Sequence, residues 1–74
     1  MNDDRSNRER EGALTHPVRR ALRDALDGSE GRTLSELGGI ELPKDPTLSA
    51  VHYHLKALER VKLVVCVGGV YRLA

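Results

Sequence analysis

The sequence predicts an α+β domain in which three helices are followed by a short two-stranded antiparallel hairpin. Three observations carry that expectation. Apolar residues recur at three- and four-residue steps from Leu14 to Leu26, residues 47–60 separate into an apolar and a polar face at helical spacing, and Gly68-Gly69 divides two runs of β-branched residues. At 74 residues the chain makes one domain, and a domain of this size buries only about 60% of the surface that its unfolded chain exposes. It has no Phe, no Trp and two Tyr, so its core must be almost wholly aliphatic and its stability marginal.

Residues 1–11 alternate Asp, Glu and Arg with Asn and Ser and hold no apolar residue after Met1. Such a segment has nothing to bury and is expected to be a disordered charged tail, in preference to a short helical turn before Leu14 or a phosphate contact by its arginines, leaving residues 12–74 as the domain. The first helix follows from Leu14, Val18, Ala21, Leu22, Ala25 and Leu26, which share one face. Pro17 suits its opening turn, where a missing N–H costs nothing, and Gly28 suits a left-handed stop after Asp27. Arg19, Arg20 and Arg23 fall on the opposite face and are expected to be solvated, with contact to backbone phosphate as the alternative.

Thr33-Leu34-Ser35-Glu36 is a capping box, with the Thr33 hydroxyl placed to accept from the Glu36 amide and the Glu36 carboxylate placed to reach back. It opens a short second helix that Gly38 and Gly39 end, anchored by Leu34, Leu37, Ile40 and Leu42. Two prolines within Leu42-Pro43-Lys44-Asp45-Pro46 make this stretch a turn. Thr47, or alternatively Asp45, caps a third helix that runs to about Arg60. Val51, His54, Leu55 and Leu58 lie on one side of it, and Ser49, His52, Tyr53 and Lys56 on the other.

A Gly-Gly pair between β-branched runs indicates a two-residue hairpin and sets its register. Val67 then faces Val70, Cys66 faces Tyr71, Val65 faces Arg72 and Val64 faces Leu73. Since Arg72 should point to water, Val65, Val67 and Val70 share its outer face, while Val64, Cys66, Tyr71 and Leu73 turn inward.

The net charge of +1 makes no whole-chain argument for a polyanionic partner, but Lys44, Lys56, Arg60 and Lys62 make the second half locally basic. A single cysteine, Cys66, excludes an internal disulfide framework and fits a reducing compartment. No apolar stretch approaches a membrane span and no secretory h-region opens the chain, so a cytoplasmic protein is expected. The carboxylates are scattered, no Ser/His/Asp or Cys/His set is evident, and no glycine loop precedes a helix to cradle phosphate; no catalytic site is expected. His52 and His54 are two apart on a helix and diverge, which argues against a shared metal ion, and His54 is expected to be a satisfied histidine at the edge of the core.

Three helices, a turn before the third, and a terminal hairpin are the order of a winged helix-turn-helix. The strings Leu14-Thr15-His16-Pro17-Val18-Arg19-Arg20, Thr33-Leu34-Ser35-Glu36-Leu37, Thr47-Leu48-Ser49-Ala50-Val51-His52-Tyr53-His54-Leu55-Lys56-Ala57-Leu58-Glu59, and Leu63-Val64 followed by Val70-Tyr71-Arg72-Leu73 resemble the arsenic-repressor-like (ArsR-like) winged helix family of transcription regulators. The resemblance spans roughly residues 13 to 73, and the ordered set is more specific than any one string. It implies a sequence-specific regulator whose third helix enters the major groove of double-stranded DNA, with the hairpin along the backbone. The DNA-contacting residues it implies are Thr47, Leu48, Ser49, His52, Tyr53, Lys56, Arg60 and Arg72. Ser49 and His52 can exchange hydrogen bonds with base edges, Tyr53 can meet a phosphate or a thymine methyl, Leu48 can add an apolar base contact, and Lys56 and Arg60 can neutralise phosphates.

Three departures accompany the resemblance. Metal sensors in that family use paired thiols, whereas the second helix here has no cysteine, so no metal, cofactor or small-molecule ligand is expected. Wings in that group usually carry Arg or Lys at the tip, whereas this one turns at Gly68-Gly69 with Val65, Val67 and Val70 outward and Arg72 as the cation on that face. Family members also commonly dimerise through helices flanking the winged core, while this sequence ends at Ala74, directly after the second strand. The alternative reading is therefore a protein-interaction module, with the valine face as a contact for a second copy or another subunit.

Overall fold

In the computed structural model, which describes residues 3–74 with side chains from Arg8 onward, the element order is α1 (Asp3–Ala13), α2 (Pro17–Leu26), β1 (Arg32–Thr33), α3 (Leu34–Gly38), α4 (Leu48–Arg60), β2 (Val64–Val67) and β3 (Val70–Leu73). The fold is α+β, a winged helix with the helices ahead of an antiparallel sheet, as the periodicities predict. Two features differ from expectation. There is a helix before Pro17, and the sheet has three strands in the order β1-β3-β2 instead of two.

The extra helix overlaps the segment expected to be a charged tail. Met1 and Asn2 lie outside the described residues, but from Asp3 the chain is helical. Its anchor is at the C-terminal end, where Ala13 is buried and Arg10 Nε donates to the Val61 carbonyl at 3.2 Å, tying α1 to the end of α4. An apolar stripe is what periodicity detects, and α1 has none: its contribution to the core begins at Ala13.

Helix α2 starts where His16 Nδ1 accepts from the Val18 amide at 3.2 Å, with Pro17 in the first turn. It ends at Asp27, followed by Gly28 at φ +76°, the left-handed stop expected there. The capping box of α3 is complete. Thr33 Oγ1 accepts from the Glu36 amide at 3.2 Å and Glu36 Oε1 accepts from the Thr33 amide at 2.9 Å. These bonds hold the exposed Glu36 carboxyl below its usual range, through the Thr33 amide first and the Thr33 hydroxyl second. Between α3 and α4 the buried Leu42 pins the turn, and Lys44 and Asp45 both adopt positive φ to reverse the chain.

The hairpin register is the expected one, Val64↔Leu73, Val65↔Arg72, Cys66↔Tyr71 and Val67↔Val70. What sequence periodicity misses is β1, which adds Arg32↔Tyr71 and Thr33↔Val70 on the other side of β3. Gly31 makes that approach feasible. At φ +135°, a Cβ there would stand 2.5 Å from Val70 Cγ1, so glycine is required on both conformational and steric grounds. Val18, Leu22 and Leu26 of α2, Leu37 of α3, Val51, Leu55 and Leu58 of α4, and Val64 and Tyr71 of the sheet close the core, so helices cover one face of the sheet.

Candidate nucleic-acid interface

The candidate site is built on α4, and its orientation follows from which residues the core accepts. Thr47 is the N-cap: its Oγ1 accepts from the Ala50 amide at 3.1 Å, and its extended backbone turns the chain into the helix. Val51, His54, Leu55 and Leu58 face inward and are buried. Burying that stripe leaves Ser49, His52, Tyr53, Lys56 and Arg60 in solvent, with Ser49, Tyr53, Lys56 and Arg60 at steps of three and four residues and His52 beside Tyr53, on one face. Leu48 is 51% exposed and Tyr53 65%, so the same surface also offers apolar contact.

The far end of α4 closes in a Schellman motif. Lys62 donates its amide to the Glu59 carbonyl and Leu63 to the Leu58 carbonyl, both at 3.0 Å, with Lys62 at φ +65° where glycine is the usual occupant. Thus both ends of the helix are capped from within the chain.

Not every expected contact residue is equally free. Lys56 Nζ lies 3.3 Å from Glu59 Oε2, an exposed lysine one turn from a half-buried glutamate, and this carboxylate holds the ammonium above its ordinary range. The lysine end of the pair is open to solvent, so its ammonium can also reach a phosphate. The acceptor side of the Thr47 hydroxyl is occupied by capping, which leaves its O–H to donate. Arg72 is exposed but stands on the face of the sheet opposite Val64 and Tyr71, away from the helices; the α4 residues come together along one helix, and Arg72 belongs to the wing.

On that outer face Val67 is 65% exposed, Val70 37%, and Val65 half-buried. Val70 lies over Gly31, so β1 and its approach partly cover the valines. The apolar patch is narrower than the hairpin alone suggests.

His54 is buried as expected, with a partner that the sequence does not announce. Arg19 Nε donates to its Nδ1 at 3.0 Å, and the His16 ring packs 4.3 Å away, centre to centre. The helical spacing puts Arg19 among the solvated arginines, but it is half-buried between α2 and α4. Burial, then the neighbouring His16 and Arg19, holds the His54 imidazole below its ordinary value near 6.5. Arg19 also joins Tyr53, Arg60 and Glu9 around an open groove of about 370 Å³ between α1 and α4, which continues the polar face of α4 toward α1. Periodicity places Arg19 on a helix face and cannot see this partner, 35 residues away.

Among the described residues no group of three or more His, Cys, Asp or Glu is placed to hold a metal ion, and no helix is long and apolar enough to cross a membrane. No curated protein and no solved structure matches the chain. Comparison with protein families matches residues 14–67 to a helix-turn-helix domain. That span runs from the turn before α2 through β2, takes in α3, the turn and α4, and covers well over half of the sequence. With α3 and α4 arranged about their turn and the outer face of α4 open to solvent, the chain belongs to the helix-turn-helix domain family.

Proposed function

We propose that this domain is a sequence-specific transcription regulator of the ArsR-like winged type, which binds double-stranded DNA by laying α4 in the major groove. The observation that carries this reading is the division of α4 into a buried stripe and an exposed one that offers donors, acceptors and cations together. Ser49 and His52 stand at the N-terminal half, where helices of this class read bases, and Lys56 and Arg60 at the phosphate-contacting end. The domain acts in the cytoplasm and performs no catalysis on this reading. A single domain covers one half-site, so useful discrimination among genomic sequences requires two copies or a partner.

Duplex binding measured against salt tests the reading. Affinity is expected to fall steeply with ionic strength, and Lys56→Ala to lower the magnitude of the log–log slope by about one, because one phosphate fewer is neutralised. Negligible binding at low salt, or a slope unchanged by Lys56→Ala, counts against it.

The exposure of Val67, on an edge strand whose outer side has no partner in the sheet, supports a second reading in which the wing contacts a second copy or another protein. Sedimentation of the wild type against Val67→Lys separates the two. Self-association through the wing predicts a dimer that the lysine dissociates, and a monomer for both proteins removes that version.

A further inference from the structure

At the N-terminal end of α4 an open notch of about 250 Å³ is lined by Leu34, Leu48, Ser49 and His52. Its two halves differ in chemistry. Leu34 and Leu48 are each the first residue of their helix, α3 and α4, and form an apolar side, while Ser49 and His52 bring a hydroxyl and a ring N–H. Leu48 is not a loose surface side chain. A Cβ at Gly38 would stand 2.5 Å from Leu48 Cδ1, so the missing side chain of Gly38 is the seat that holds Leu48 over the turn. His52 lies one turn on from Leu48, and side chains on a helix lean toward its N-terminus, which brings the imidazole over the same notch.

We propose that this notch is a base-reading subsite selective for thymine, taking the C5-methyl against Leu34 and Leu48 and the O4 oxygen by donation from Ser49 or His52. Thymine is the one DNA base that shows a methyl group beside an acceptor on its major-groove edge; cytosine shows a donor there and no methyl. The occupant is a base of duplex DNA and not a protein side chain because Lys56 and Arg60 lie further along the same exposed face, where they meet a polyanion. The proposal rests on α4 being the groove-reading helix and adds which base the end of that helix selects.

The test uses the whole chain and duplexes that it retains from a random pool, remade with each thymine singly replaced by deoxyuridine, which differs by the methyl alone. At one thymine per bound subunit the replacement should weaken binding about fourfold, the equivalent of one buried methyl group. Leu48→Ala should bring that ratio to about one, and Gly38→Ala, which unseats Leu48, should do the same; Lys56→Ala should weaken both duplexes equally and leave the ratio intact. Melting of each variant confirms the fold, which a half-exposed Leu48 does not govern. If every deoxyuridine duplex binds as tightly as its parent, or the ratio survives Leu48→Ala, the notch does not read the methyl while DNA binding stands. If the chain retains no duplex at low salt, the DNA reading falls and the subsite with it.

Discussion

His54 shows how one side chain can join two helices and make their packing depend on pH. Its Nδ1 accepts from Arg19, so the folded state holds the neutral ring, and burial with His16 and Arg19 alongside penalises a second proton. The unfolded chain takes up that proton near pH 6.5 and the folded chain only at lower pH. Between those values the unfolded state binds more protons, and stability rises with pH. The His54 contribution is therefore complete above about pH 6.5 and shrinks as pH falls below it. Urea midpoints at pH 7.5 and 5.5 should converge in His54→Gln, which keeps an oxygen for Arg19 but does not titrate; an acid loss as large as that of the wild type would assign the effect elsewhere. Glu36 acts in a separate window, since its lowered carboxyl stabilises the capping box above its usual range near 4.5 and releases it as pH falls further. That His54 would be buried and satisfied was legible from its place beside Leu55. That Arg19 would satisfy it was not, because a contact across 35 residues leaves no local spacing to read.

Elements whose signals are local were legible, and those that exist through a partner were not. The capping box of α3, the Thr47 cap of α4 and the hairpin register each follow from residues within a few positions of one another. Strand β1 has two residues, too few for any period, and is defined by its pairing with β3 across the space that Gly31 leaves open. The end of α4 near Arg60 was legible, but the Schellman motif that closes it was not, because it uses Lys62 where a glycine would have announced it. A left-handed lysine costs about 1–2 kcal/mol in backbone sterics, part of which glycine returns as unfolded-chain entropy. Lys62→Gly is accordingly expected to stabilise the domain by about 1 kcal/mol, a rise of about 4–8 °C in melting temperature. A melting temperature that stays level or falls would show that the Lys62 side chain contributes more than its backbone costs.

At the scale of the whole molecule, a small aliphatic core fixes which surfaces remain. Helices take one face of the sheet, so the valines and Arg72 of the wing are left on the other; α4 is half-buried along its length, so its polar stripe is left to solvent. The α+β order and the candidate stripe could both be read before any coordinates, since each depends on patterns repeated over many residues. The three-stranded sheet, the narrowing of the valine patch by Gly31 and the seating of Leu48 on Gly38 could not, because each depends on segments meeting in space. Whether DNA meets the outer stripe of α4 can be observed by following the amide and side-chain NMR signals of the labelled chain as a duplex retained from a random pool is added. Shifts and intermolecular contacts are expected to concentrate at Leu48, Ser49, His52, Tyr53, Lys56 and Arg60. Perturbations confined to Val65, Val67 and Val70, with the α4 signals unmoved, would contradict groove reading by this helix.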